Sequence, residues 1–280
     1  MIKRLTGKVI DNGRAILQML LLVICFCFPK LVNLSEIIRT LLGGQSPDFS
    51  TAKYYYLMQS GNWTMGILLV IIVLFKYIRK SNEDKILFSG NIYHDYSYIW
   101  FWFCSKILGY NSCNLILVPI AMQYKLVIRG TFEKYSIPEE SFPEKDINVV
   151  VQYHNKDAEN VNEVNLILED TYPITKNQIP ESKKPLRTII IEHDRKDDVS
   201  RVYNTKFVKE ICKEVRALPE KAIVNIYSTT NPRHNYEIAK QAFSLANRGN
   251  IKELYIYQQE KENTRKFSKR KKIYRFFEEE

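Results

Sequence analysis

Several things are scarce in this 280-residue chain, and each scarcity excludes something. Glycine occurs ten times and histidine four. There is no glycine-rich phosphate loop, no HExxH pair and no strained nucleophile elbow, the usual marks of nucleotide hydrolases, zinc peptidases and serine hydrolases. The five cysteines, Cys25, Cys27, Cys104, Cys113 and Cys212, are scattered, and none stands at zinc-ligand spacing to a histidine. An odd, dispersed set of this kind reads as reduced packing thiols in a reducing compartment. No metal or cofactor is expected. No repeat of solenoid period is present.

Uninterrupted apolar sequence, by contrast, is concentrated in two places. Ala15–Leu34 reads AILQMLLLVICFCFPKLVNL and Asn62–Ile78 reads NWTMGILLVIIVLFKYI. Roughly 20 helical residues cross a hydrocarbon core about 30 Å thick. The first run reaches that length by continuing past Pro29 and Lys30; the second uses interfacial Trp63. A cleaved leader competes for the first run, but Cys25-Phe26-Cys27-Phe28-Pro29 is a poor small-residue cleavage site. A buried helical hairpin in a soluble protein is the other alternative.

Charge orients the pair. Lys3, Arg4, Lys8 and Arg14 precede the first run and Lys76, Arg79 and Lys80 follow the second, whereas only Arg39 and Lys53 lie between. The basic excess stays on the cytoplasmic side, so the expectation is a multi-pass protein of the cell (inner) membrane with both termini cytosolic. This gives an N-tail (1–14), transmembrane helices at 15–34 and 62–79, and an outer loop at 35–61. In that loop the Tyr54-Tyr55-Tyr56 run suits an interfacial turn better than a receptor surface. A membrane-proximal connector (80–134) follows. Within it Tyr96–Tyr110, YSYIWFWFCSKILGY, reads either as an interfacial helix or as a buried helix of a soluble unit. NLILVPIA and QYKLVI then read as two strands, or as a stiff connector. Residues 135–146, with two prolines and five charges, read as a linker.

From Ile147 the pattern changes. Short β-rich runs at 147–153, 164–168, 188–191, 222–227 and 253–257 alternate with helical stretches at 205–218 and 232–247. The second helix has Asn231 as cap and Pro232 in its first turn, and Gly249 lies past its end. Near-continuous apolar runs such as VVV and TIII fit strands buried on both faces. The expected fold is therefore α/β: an N-terminal two-helix transmembrane hairpin plus a cytosolic Rossmann-like domain (147–260) on a largely parallel sheet.

In such sheets ligands bind outside the carboxyl ends of the strands. The polar residues following those ends are His154; Glu169 and Asp170; His193 and Arg195; and Ser228, Thr229, Thr230, Asn231, Arg233 and His234. The last group is the most suggestive: hydroxyls, then an Asn-Pro helix start whose N–H groups and dipole favour an anion, with Arg233 supplying a planar fork. A well-capped helix after an ordinary polar loop explains the same residues. His193, Asp194 and His234, assisted by Glu192 or Asp170, would be the acid–base set of an anchored hydrolase or nuclease-like enzyme.

The run IYSTTNPRHNYEIAKQAF resembles ligand-binding segments of the CARF and SAVED sensor superfamily. That resemblance implies a Rossmann-like domain recognising cyclic oligonucleotides in bacterial antiphage defence, in some cases joined to a membrane-spanning effector. It implies that Ser228, Thr229, Thr230 and Arg233 contact phosphates or bases. The leading expectation is an oligomeric membrane effector that senses a nucleotide-like anion and transmits to its hairpin, disrupting the bilayer. A scaffold or accessory subunit of a membrane complex is the third class. Finally, the net charge of +10 is partly carried by RKFSKRKKIYRFFEEE (265–280), within a basic-aromatic tail (261–280). Seven basic residues among aromatics suit an anionic leaflet first and nucleic acid second.

Overall fold

The computed structural model describes residues 12–41, 52–88, 92–158, 162–194, 201–244, 250–260 and 265–275; side chains at 39, 52–59 and 139 fall outside that description. The chain divides into two compact units, 1–92 with 99–113, and 93–98 with 114–280.

The first unit is built on an antiparallel helix pair. Helix α1 spans Gly13–Leu31; after a turn at Val32-Asn33, a short α2 follows at Leu34–Leu41. Helix α3 runs Ala52–Ile72 and continues, with a wider π-type winding at Val73–Arg79, to Asn82. Two stretches, Gly13–Leu31 and Ser60–Asn82, are long and apolar enough to cross a membrane. The first span therefore stops three residues before the expected end. Asn33 takes a left-handed conformation (φ 50°), which asparagine tolerates, and ends the helix there.

Leucines and isoleucines such as Leu17, Leu31, Ile67 and Leu68 point outward, while polar groups join the two helices. At one end Asn62 Oδ1 accepts from the Ser35 backbone N–H (2.8 Å), and its Nδ2 donates to Asn33 Oδ1 (3.2 Å). At the other, Asn82 and Gln18 exchange amide hydrogen bonds at 2.9 Å, and Arg14 donates to Asn82 Oδ1 and Ser81. Asn62 and Asn82 are about 20 residues apart, hence roughly 30 Å of helix, the depth of a hydrocarbon core. Between them the helices nearly touch: a Cβ on Gly66 would lie 2.3 Å from the Phe26 carbonyl oxygen. Phe26 packs on Trp63 beside it, with centroids 5.1 Å apart.

Strand β1 (Ile86–Leu87) pairs in parallel with β2 (Ser112–Asn114). The aromatic segment lies between them as helix α4 (Tyr98–Trp102), extended by a π-type turn at Phe103–Ile107. It buries Phe101, Cys104 and Leu108 and leaves Ile99 (75%) and Trp102 (43%) exposed. It is tied to the helix pair at three points. Trp100 Nε1 donates to Asn12 Oδ1, Arg79 to the Lys106 carbonyl, and Asn82 Nδ2 to the Leu108 carbonyl.

The second unit is an α/β domain. The run read as strands at 123–128 is instead helix α5 (Ile120–Ile128). Pro119 precedes its first turn, and the Gln123 side chain holds the carbonyls of Leu115 and Val118. A short apolar run does not distinguish strand from helix by periodicity alone. A short strand, β3 (Lys134–Ser136), follows.

The main sheet comprises β4 (Val149–His154), β5 (Glu163–Glu169), β6 (Arg187–His193), β7 (Ala222–Ser228), β8 (Ile251–Gln259) and β9 (Phe267–Arg275), in the order β4-β6-β5-β7-β8-β9. The inner four are parallel. Both edges run antiparallel, so the sheet is mixed rather than largely parallel throughout. Edge strand β9 corrects the tail reading for 267–275: buried Phe267 and Ile273 hold it to β8, while Ser268–Lys272 face solvent. Lysines on an edge discourage further strand pairing. Residues 261–264 and 276–280 of that tail lie outside the described residues.

Helices α6 (Thr205–Arg216) and α7 (Pro232–Ile238, continued as a π-type turn to Phe243) follow β6 and β7, and α5 packs beside α7. A further cluster unites Ile167, Tyr227, Tyr257 and Phe267 of the sheet with Ile174 and Ile179 of the β5–β6 connection.

Candidate functional site

The parallel strands set the site. β5, β6 and β7 deliver Asp170, His193 and the Ser228–Asn231 loop to one edge of the sheet, and α6 and α7 both start there. Asp170 lies at the centre and is buried (4% exposed). Its Oδ2 accepts from His234 Nδ1 (2.7 Å), the Asn231 backbone N–H (3.0 Å) and Asn231 Nδ2 (2.8 Å). Its Oδ1 lies 3.2 Å from His193 Nε2. Burial alone would raise the pKa of Asp170, but these hydrogen bonds outweigh it and hold the carboxyl well below the usual carboxylate range.

Asn204, the cap of α6, fixes both imidazoles. Its side-chain oxygen accepts from the Lys206 N–H, which orients the amide. Its backbone N–H donates to His234 Nε2 (2.8 Å), and its Nδ2 reaches His193 Nδ1 (3.2 Å) and the Ile147 carbonyl (2.8 Å). Asn204 thus contacts one nitrogen of each ring, and the other nitrogen of each lies beside the Asp170 carboxylate. His193 also stacks on Phe207, with centroids 4.4 Å apart.

Asp170, His193 and His234 place one donor atom each within 4.8 Å of one another, which is metal-ligand spacing. The surroundings fit a proton network better. A metal-bound imidazole normally donates its second N–H to an acceptor, whereas both rings here have an N–H donor at that position. General acid–base work fits no better, because both nitrogens of each buried ring are engaged.

The Ser-Thr-Thr loop is likewise turned inward. Ser228 hydrogen-bonds to Thr230, and Thr230 to Asn235. Thr229 Oγ1 donates to the Tyr172 carbonyl (2.8 Å). Asn235 Nδ2 continues the chain to Gln123 Oε1 of α5 (3.0 Å). Asn231 caps α7 through the His234 N–H (3.0 Å), and the negative group at that helix start is Asp170 itself.

The structure thus gathers His193, Ser228, Thr229, Thr230, Asn231 and His234. Arg233 stands at their margin, half-buried, donating to the Phe142 carbonyl (3.0 Å) and lying over the Tyr203 ring (4.3 Å). His154 is not among them. It pairs with Thr188 at the start of β6, the opposite sheet edge, because β4 runs antiparallel. Arg195 lies outside the described residues. Asn204, Asn235 and Gln123 were not placed in the site by the sequence. The Asn204-Thr205 helix start was the available signal for the first; nothing local marks the other two.

One chain thus carries this α/β domain and two helices long and apolar enough to cross a membrane. The chain belongs to the SMODS- and Ubiquitin system-associated 2TM effector domain family, whose model matches residues 1–274. The two-span effector half of the expected resemblance is therefore correct, and the protein is a membrane-associated effector of a signalling system. No curated protein matches the chain. Among solved structures, the chain is similar to the Acinetobacter baumannii Cap4 SAVED/CARF-domain containing receptor with the cyclic trinucleotide 2'3'3'-cAAA. The similarity covers 57% of this chain and 38% of that one at 9% identity, with a TM-score of 0.37, too distant to establish a common fold.

Proposed function

We propose that the α/β domain senses a nucleotide-like anion at the carboxyl edge of its parallel strands and relays binding to the transmembrane hairpin, whose termini face the cytosol. The observation that carries this reading is the convergence of His193, Asn231 and His234 on Asp170, next to a half-buried arginine, in a chain of the 2TM effector family.

Arg233 is the residue best placed to change partners. It now holds the Phe142 carbonyl, and the adjacent stretch is secured by Tyr203, whose N–H donates to the Pro143 carbonyl (2.9 Å). A phosphate that draws the guanidinium away would loosen residues 142–146, which lead directly into β4. Ser228–Asn231 would sense the ligand through backbone shifts of a loop whose hydroxyls are already engaged. Such a relay works only if the ligand prefers the released state; equal affinity for both states moves nothing. Self-association of ligand-bound chains would then rearrange the hairpins and breach the bilayer.

The test is binding of a panel of linear and cyclic nucleotides to the full chain in detergent. One or more should bind, and Arg233→Ala should weaken that binding at least about tenfold, the loss of one charge-assisted contact of roughly 1.5 kcal/mol. A uniform absence of binding overturns the sensor reading.

A further inference from the structure

The basic residues of β9 divide between the two faces of the sheet, and the two sets differ in how their charge is met. On one face Arg270 lies 3.5 Å above the Tyr255 ring and 3.8 Å from Glu163, and Arg275 is 3.0 Å from Glu253. On the other, Lys271 pairs in register with Ile256, and its charge acts on Lys125 of α5, as does that of Arg129, the residue capping that helix. Lys125 Nζ and Arg129 Cζ lie 5.0 and 4.8 Å from the centroid of one ring, that of Tyr98. Among the described residues no carboxylate lies within ion-pair distance of Lys125, Arg129 or Lys271. The group acts on itself: burial, then the charges of Arg129 and Lys271, pull the Lys125 ammonium below its ordinary pKa. Lys125 and Arg129 thus share the face of one tyrosine, and Lys271 is close enough for its charge to act on Lys125.

We propose that Lys125, Arg129 and Lys271, with Tyr98, bind the phosphate headgroup of an anionic phospholipid. Continuity along the chain favours a lipid over a soluble anion. Tyr98 opens helix α4; the next residue, Ile99, and Trp102 are exposed, and Trp100, Lys106 and Leu108 are hydrogen-bonded to Asn12, Arg79 and Asn82 at the ends of the two spans. Basic and aromatic side chains at the end of a span are the signature of the headgroup layer. The inference rests on the membrane-spanning reading of α1 and α3 and is independent of nucleotide sensing. It also replaces a basic tail by a folded surface as the leaflet contact.

The experiment is amine acylation of the full chain in lipid nanodiscs, read residue by residue by mass spectrometry. Replacing part of a phosphatidylcholine disc by phosphatidylglycerol should lower labelling of Lys125 and Lys271 about fivefold, the ratio that one basic group at an anionic surface corresponds to. Exposed Lys209 on α6 should be unaffected. Arg129→Glu should abolish the protection and Arg129→Lys should keep it; Lys125→Glu, read at Lys271, gives the same comparison from a second position. Equal labelling in both discs overturns the proposal. So does equal protection by millimolar glycerol phosphate in pure phosphatidylcholine discs, which would make this a site for soluble phosphoesters. Flotation of the chain with liposomes checks the spanning reading separately, and the nucleotide panel with Arg233→Ala checks the sensor.

Discussion

The two halves of this protein use asparagine for the same task in opposite settings. In the helix pair, Asn62 and Asn82 face inward and apolar side chains such as Leu31 (81% exposed) face outward. In the α/β domain the apolar side chains are inside, and Asn204 and Asn231 tie segments together at the carboxyl edge of the sheet. The inversion indicates the solvent of each half. Where the surroundings are hydrocarbon, an amide finds a partner only on the neighbouring helix, so polar contacts collect at the two ends of the span. Where they are water, burial gathers the apolar residues and the polar network closes on a carboxylate. One half is clamped at its ends and the other is locked at a single charge.

That contrast predicts unequal damage. Asp170→Asn should do the most. It removes the charge on which both imidazoles converge and sets an N–H donor against N–H donors, at a cost of about 3–5 kcal/mol. Hydrogen exchange should accelerate across 163–194 and 222–238 while the helix pair keeps its protection. If both halves loosen together, they are not separately stabilised.

The same carboxylate gives a pH dependence. Its folded pKa is depressed, so its contribution is fully present above the unfolded value of about 3.9 and is lost as pH falls below it toward the folded value. Acid unfolding of the α/β domain should steepen below about pH 4, and Asp170→Asn should flatten that slope.

Gly66→Ala should come next and strike the other half. Its methyl would meet a backbone oxygen that cannot rotate away, an overpacking cost of about 1–3 kcal/mol. Distances between spin labels at positions 23 and 68, in a cysteine-free background, should lengthen or broaden, with sheet hydrogen exchange unaltered. Asn82→Leu should have the smallest effect, about 0.6–1.7 kcal/mol, because interhelical hydrogen bonds in lipid are modest. It should splay the Arg14 end of the pair and leave the Asn62 end closed. Loss of both ends together would mean the clamps are not independent.

Periodic and compositional features were legible from the start. Every expected strand from 147 to 257 is present, as are α6 and the beginning of α7, because each is signalled by a local apolar run or a cap. Features set by pairing partners were not. His154 was grouped with the wrong sheet edge because strand direction is not written in VVVQYH; only pairing with β6 sets it. The basic tail proved to be β9 because β8 offers an edge that holds Phe267 and Ile273. The 123–128 run became a helix once Gln123 could reach back to Leu115 and Val118. At the site, Asn231 and Pro232 marked a helix start in want of an anion, yet nothing local showed that Asp170, 61 residues earlier, would fill it.

The amino-acid sequence by itself determined the two spans, their basic flanks and the alternation of strands with helices, since these follow from hydropathy, charge and capping acting over a few turns of chain. Tertiary structure alone decided which polar residues meet and which face of the sheet each basic residue of β9 takes. Those outcomes depend on distances between residues far apart in the chain, and burial turns such distances into large differences in free energy.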